Sequence, residues 1–375
     1  MAEMIQWAKP VFWGKEKEYV NDALSSTWIS GGPYVAKLES EFAKAIGSKN
    51  AIVVNNGTSA LMLALLGINI KQGDEVIIPG FCFVAVGNMV LQAGAKPIYV
   101  DVDRDTWNID AGKIKEKITD KTKAILVVHN YGNPCDMDEI IKIAKEKGIC
   151  LIEDAAEAHF SKYKGKCVGT IGDIGCFSFH ATKMIATGEG GAVVTNNLEI
   201  DKKMRAIRSH GMSSRGFYWH DEIGNNFRLA NVLAAIGVAQ LENIDKILEN
   251  KKRVYNSYKE KLEKIEGIEF QKFQENSEPI IWAVALKINP EKFRMGRNEI
   301  IEEMKKKGIE TRPGFYPFHA MPIYNSPILP IADEISKKII SLPSFPTLTE
   351  EEIVHICDSL KSLIKQDFMM SSALR

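Results

Sequence analysis

Three features of the sequence predict a large α/β domain built on a mostly parallel sheet, followed by a smaller C-terminal α/β domain. From residue 50 onward, short β-branched runs alternate with helical stretches. These runs are continuously apolar instead of alternating, as expected of strands buried on both faces of a sheet. After about residue 228 the alternation gives way to a long helical stretch, and a second, shorter unit follows it. At 375 residues the chain is also too long for one minimal domain.

The elements can be read in order. AIVV (51–54) precedes a helix-like SALMLALLGI (59–68), and DEVIIPG (74–80) precedes FVAVGNMVLQAG (83–94). PIYVDVD (97–103) and KAILVVH (123–129) read as strands, and MDEIIKIAKEKG (137–148) as a helix. CLIEDAA (150–156), IGCFSFH (174–180) and GAVVTN (191–196) complete the strand set. The stretch RLANVLAAIGVAQLENIDKILENKKRVYNSYKEKLEKI reads as long helix, its charged half as a solvated face. A strand at 280–288, a helix at 297–308 and a closing helix at 348–364 make the second unit. The domain junction is expected near residue 245, giving a large domain at 1–245 and a small one at 246–375. The tail QDFMMSSALR is expected to fray.

Composition narrows the function. Basic and acidic residues balance at 48 each, so no global field draws the chain to nucleic acid or to an anionic membrane. The six cysteines lie far apart without a CxxC pair, which favours buried free thiols in a reducing cytoplasm over disulfides or a metal site. The start of the chain is broken by Lys9, Pro10 and Lys15, and no uncharged apolar run approaches about 18 residues. No signal peptide or membrane span is expected.

Chemistry concentrates around CFSFHATKMIATGEGGAVV (176–194). Lys183 has Phe177, Phe179, Met184 and Ile185 as neighbours and is followed by the glycine-rich 188–191 turn. A lysine in apolar company is a candidate for a Schiff base. Gly57, Thr58 and Ser59 follow a strand end and open a helix, which suits either a phosphate cradle or an ordinary N-cap. Glu153, Asp154 and Glu157 follow another buried strand; such an acid either pairs with a ring nitrogen in a ligand crevice or makes a structural salt bridge. Phe83, after a third strand, suits core packing or stacking on a flat cofactor. Taken together, an imine-forming lysine, a phosphate site, a ring-nitrogen acid and a stacking aromatic specify pyridoxal 5′-phosphate.

These residues resemble those of the DegT/DnrJ/EryC1/StrS sugar aminotransferases, in the aspartate aminotransferase-like (fold type I) superfamily. The resemblance runs nearly the whole length of the chain, through NNGTSAL, EDAAEA, SFHATK with TGEGG, GNNFRLANVLAAIGVAQLE and TRPGFYPFHAMPIY. It implies that Lys183 carries the cofactor and shuttles the proton, that Asp154 meets the pyridine nitrogen, that Phe83 stacks on the ring and that Glu157 lies near its 3-hydroxyl. Gly57, Thr58, Ser59 and Ser178 would hold the phosphate, with Asn226 supplied by the neighbouring subunit of a homodimer with shared active sites. A dehydratase relative has histidine in place of the lysine, so Lys183 favours amine transfer. Cys82, Val86 and Asn225 depart from residues common in the family and bear on the substrate pocket.

The stretches 26–32, 218–220 and 312–317 look like the branch of the family that aminates C4 of GDP-4-keto-6-deoxymannose with glutamate. On that resemblance Trp28, Ser30, Tyr218, His220, Arg312, Tyr316 and His319 are the substrate-binding candidates, with Arg312 suited to a phosphate or a carboxylate. Two other readings stay open. One is an aminotransferase of a small phosphorylated ketone, and the other a non-catalytic regulatory protein that keeps the fold.

Overall fold

The structure, a computed structural model, describes residues 4–212 and 215–365. The tail read as frayed, residues 366–375, lies outside the described residues. Seven strands form the main sheet: β1 (Asn50–Val54), β2 (Glu75–Pro79), β3 (Lys96–Val100), β4 (Thr122–Val128), β5 (Cys150–Asp154), β6 (Ile174–Ser178) and β7 (Gly191–Thr195). Their order is β1-β7-β6-β5-β4-β2-β3. The pairs from β6 across to β3 are parallel, while β7 runs antiparallel to both β6 and β1.

Alternate residues of these strands enter opposite cores. Ile52, Val54, Leu126, Ile152 and Val193 join one cluster; Ala51, Val53, Ile125, Val127, Leu151 and Ala192 join the other. Both faces are therefore covered, which is why the runs read as continuously apolar. Because β7 is reversed, the strands β1, β2, β3, β4, β5 and β6 all end at one edge of the sheet, where β7 begins. The segment between β6 and β7 contains no helix, so it returns the chain antiparallel at that same edge.

A second, antiparallel sheet contains β8 (Ile268–Phe270), β9 (Ala285–Ile288), β10 (Arg312–Pro313) and β11 (Ile339–Ser341), in the order β8-β9-β11-β10. With helices Ile244–Leu262, Arg297–Lys306 and Glu350–Lys361 it builds a third cluster that includes Tyr258, Leu286, Ile300, Ile340 and Ile356. The start of the chain joins this region, Ile5 N donating to Gly308 O at 2.8 Å.

Three sequence expectations are corrected. The long helix is two helices, Asn231–Glu242 and Ile244–Leu262, broken at Asn243, whose Nδ2 donates to Ala239 O at 3.0 Å. The strand expected over 280–288 is limited to β9. Its first half is diverted toward the main sheet, with Trp282 N donating to Tyr131 O at 2.9 Å. The charged helix is not solvated throughout, because Lys251 is buried within it. All six cysteines are free thiols. No helix among the described residues is long and apolar enough to cross a membrane.

Candidate active site

A cavity of about 550 Å³ opens at the carboxyl ends of β1, β5 and β6. On the β1 side, Asn56 caps helix Gly57–Gly67, its Oδ1 accepting from Ser59 N at 2.7 Å. The cap is thus Asn56, and neither Thr58 nor Ser59 fills that role. Gly57 is required by packing: a Cβ there would lie 2.7 Å from Ser178 Cβ at the end of β6. The helix start and the Ser178 hydroxyl therefore close on one corner of the cavity, beside Thr58.

At the end of β5, two adjacent acids do different work because successive side chains point to opposite faces. Glu153 is fully buried and accepts from Gly169 N, Ile171 N and Gly172 N at 2.8, 2.7 and 2.6 Å. It also meets His129 Nε2 at 3.1 Å. Cys135 N donates to His129 Nδ1, which leaves the ring proton on Nε2, facing Glu153. Glu153 is a structural anchor. Asp154 faces the cavity, where burial raises its pKa above the ordinary carboxylate range. Glu157 holds Tyr131 N at 2.8 Å through Oε2, fastening a Tyr131 backbone of φ 59°, and burial pushes its carboxyl up to about 7 against the pull of Lys183.

Lys183 sits in the segment joining β6 to β7. That segment is folded on itself, with Ala181 N donating to Gly188 O at 2.9 Å and Thr187 N to Phe179 O at 2.8 Å; Gly188, at φ 88°, supplies the left-handed turn. Lys183 Nζ lies 3.8 Å from Glu157 Oε1 and 3.6 Å from the centroid of the Trp282 ring. Burial lowers its pKa, and Glu157 and Asp154 oppose that shift. A buried amine between two acids, beside a helix start and two hydroxyls, can hold an anionic, carbonyl-bearing ligand and move a proton on it.

The fold brings Gly57, Thr58, Phe83, Asp154, Glu157, Ser178, Lys183 and Arg312 to this cavity. Phe83 is 54% exposed at the mouth, its ring edge-on to Phe315. Arg312 pairs with Glu310 at 2.9 Å and lies over the Trp7 ring. Ser59 is buried beside the cap and does not line the cavity. The other candidates stand apart from it within this chain. Trp28 and Ser30 give their carbonyls to Asn231, and Asn226 Oδ1 accepts from Arg228 Nε at 3.0 Å. Tyr218 is 89% exposed, and His220 Nδ1 meets His210 O at 2.9 Å. Tyr316 lies beneath Arg297, and His319 Nε2 meets Asp333 Oδ1 at 3.2 Å.

Sequence reasoning missed Asn56, Tyr131 and Trp282 as members of the site. Asn56 stood in the NNGTSAL motif and carries the cap signal itself. Tyr131 and Trp282 gave no local signal, since an aromatic beside or within an apolar run reads as core.

The profile of the DegT/DnrJ/EryC1/StrS aminotransferase family matches residues 13–361. The chain belongs to this family. Among its DegT/DnrJ/EryC1/StrS relatives, the GDP-perosamine synthase of Escherichia coli O157:H7 is 44% identical over 357 residues, covering 94% of this chain and 96% of that protein. The GDP-perosamine synthase of Vibrio cholerae is 38% identical over 365 residues, covering 96% and 99%. In structure the chain is similar to PseC of Helicobacter pylori, an aminotransferase involved in the biosynthesis of pseudoaminic acid, with a TM-score of 0.91, 27% identity and coverage of 96% and 99%. The family is pyridoxal phosphate-dependent, and its fold is the aspartate aminotransferase-like fold expected from the sequence.

Proposed function

We propose that this chain uses pyridoxal 5′-phosphate to move the amino group of glutamate to the keto carbon, C4, of a nucleotide-linked keto-deoxysugar such as GDP-4-keto-6-deoxymannose. The observation that carries this reading is the Lys183 amine, buried in a cavity between Glu157 and the face of Trp282, with Asp154 on the same wall.

The residues fit the cofactor in three ways. The corner beside Gly57, which a Cβ would obstruct, presents helix N–H groups with the Thr58 and Ser178 hydroxyls and suits a phosphate. Asp154 is a buried acid with a raised pKa, the condition a protonated ring nitrogen would relieve. Phe83 offers an exposed ring at the mouth for stacking.

When bound, the cofactor supplies a carbonyl that takes up the amino group and an electron-poor ring that eases proton loss from the neighbouring carbon. Lys183 Nζ is the group that takes and returns that proton, and burial, which lowers its pKa, favours the neutral form that accepts it. Glu157 holds the Lys183 ammonium when the proton is on nitrogen. Arg312 reaches the cavity from β10 and suits the glutamate carboxylate or a substrate phosphate.

The nucleotide-sugar assignment is supported by the two GDP-perosamine synthases, each matched over nearly its full length. A small phosphorylated ketone and a non-catalytic regulatory role are not favoured by them. We also take the active form to be a homodimer with shared sites. Phe217, Tyr218 and Ile223 are 95%, 89% and 97% exposed in the single chain, and Asn226 lies three residues beyond Ile223. The division near residue 245 remains part of this reading, supported by the separate core around Tyr258.

The test is kcat/KM for GDP-4-keto-6-deoxymannose and for dihydroxyacetone phosphate, each with glutamate. The nucleotide sugar is expected to be the better substrate, because binding energy from base and diphosphate positions the ketone. A higher value for the small ketone would overturn the substrate assignment.

A further inference from the structure

We propose that Lys251 is a positioning residue for the active-site amine: by gripping the backbone carbonyls of Trp282 and Ser344, it holds the Trp282 indole against Lys183. The proposal rests on the reading of Lys183 as the reacting amine.

Lys251 lies on the inward stripe of helix Ile244–Leu262, in register with Ile247, Val254, Tyr258 and Leu262. It is 6% exposed, and its Nζ donates to Trp282 O and Ser344 O. No carboxylate among the described residues pairs with it, and burial alone lowers its pKa to about 7. An aliphatic side chain would be the cheaper occupant of that stripe. What the amine adds is a pair of hydrogen bonds that tie together two segments distant in sequence.

One of those segments is the diverted stretch before β9, and Trp282 is fixed there at each polar group. Its N donates to Tyr131 O at 2.9 Å, its carbonyl accepts from Lys251, and its Nε1 donates to Thr182 O at 2.7 Å, the residue before Lys183. Its ring stands edge-to-face with Trp7 at 5.3 Å and lies 3.6 Å from Lys183 Nζ. Lys251, Lys183 and Trp282 line one small cavity of about 20 Å³. The indole face favours the ammonium over the neutral amine, so the place of Trp282 sets both where Lys183 rests and how readily it gives up its proton. The other groups that face Lys183 are Glu157 and Asp154, and the buried His159 feels its charge; His180, Glu189 and Arg312 line the same cavity as Lys183.

The experiment is competitive acetylation of the cofactor-free protein across a pH series, with the Lys183 peptide quantified by mass spectrometry. Trp282→Leu is expected to lower the Lys183 midpoint by about half to one pH unit. Lys251→Met should lower it in the same direction by about half as much. Lys251→Gln, which keeps N–H donors on a side chain one atom shorter, should stay near wild type. An unchanged midpoint in Lys251→Met, even with a reduced melting temperature, would make Lys251 merely structural and overturn the proposal. An upward shift would overturn it too, since Lys251 would then act as a like charge. If Lys251→Met yields no folded protein, Lys251→Leu takes its place, and an unchanged midpoint in it overturns the proposal. Cofactor attachment is measured separately by reductive trapping, so a failure of the Lys183 reading is distinguishable from a failure of the Lys251 link.

Discussion

Lys183 and Lys251 make an instructive pair. Both are buried amines, burial lowers the pKa of both, and both line the same small cavity. Lys183 also opens onto the 550 Å³ cavity and faces Glu157 and Asp154, so its proton has somewhere to go and its charge has partners. Lys251 faces two carbonyls in a space that admits almost nothing. A buried lysine is thus not in itself a sign of chemistry. On the proposed reading, what separates a reacting amine from a fastening one is an open volume together with carboxylates that stabilise its charged form.

The largest expected effect is on turnover. Lys183→Ala should lose about 10² to 10⁴ in kcat, the range of a general base, while Lys251→Met should lose less than about tenfold. Steady-state rates with glutamate and a nucleotide ketosugar check this, and comparable losses in the two variants would erase the contrast.

A second difference concerns stability against pH. In the fold Lys251 has a pKa of about 7, below its ordinary value of 10.5, so between these values the unfolded chain binds the extra proton and stability rises with pH. Below about 7 both states are protonated and the slope vanishes. Wild type should therefore gain stability relative to Lys251→Met from about pH 7 to 10, by up to a few kcal/mol. Urea unfolding of both proteins across that range measures it, and a flat difference would contradict a buried, acid-free amine.

The smallest effect is expected one helical face away. Lys259 pairs with Glu263 at 3.5 Å on the solvated side of the same helix. Lys259→Ala should cost no more than about 0.5 kcal/mol by the same unfolding measurement. A larger cost would mean that the charged face carries more than solvation.

How far the sequence foretold this contrast follows from the physics of each residue. The main sheet was legible because strands buried on both faces leave continuous apolar runs, and Lys183, Asp154 and Gly57 stood at the strand ends where such sheets bind ligands. From the strand pattern alone Glu153 and Asp154 were not separable, since the face each acid takes is settled by what lies above and below the sheet, and the family resemblance was what singled out Asp154. Lys251 was misread with its charged neighbours, although its spacing from Ile247, Val254 and Tyr258 put it on the buried stripe. Trp282 was hidden because 280–288 read as one strand, whereas its first half is held off the ladder by bonds to distant segments, among them those to Tyr131, Thr182, Lys251 and Ser161. Tyr218, His220 and Asn226 stand outside the cavity of a single chain, and no local pattern states what a second chain would bring.

The most direct test of the account is to load the protein with pyridoxal 5′-phosphate, fix the attached cofactor with borohydride and locate it by peptide mass spectrometry. The pyridoxyl mass is expected on Lys183 alone, with Lys251 unmodified. Its appearance on Lys251 or any other lysine, with Lys183 free, would contradict the division of labour drawn between the two buried amines.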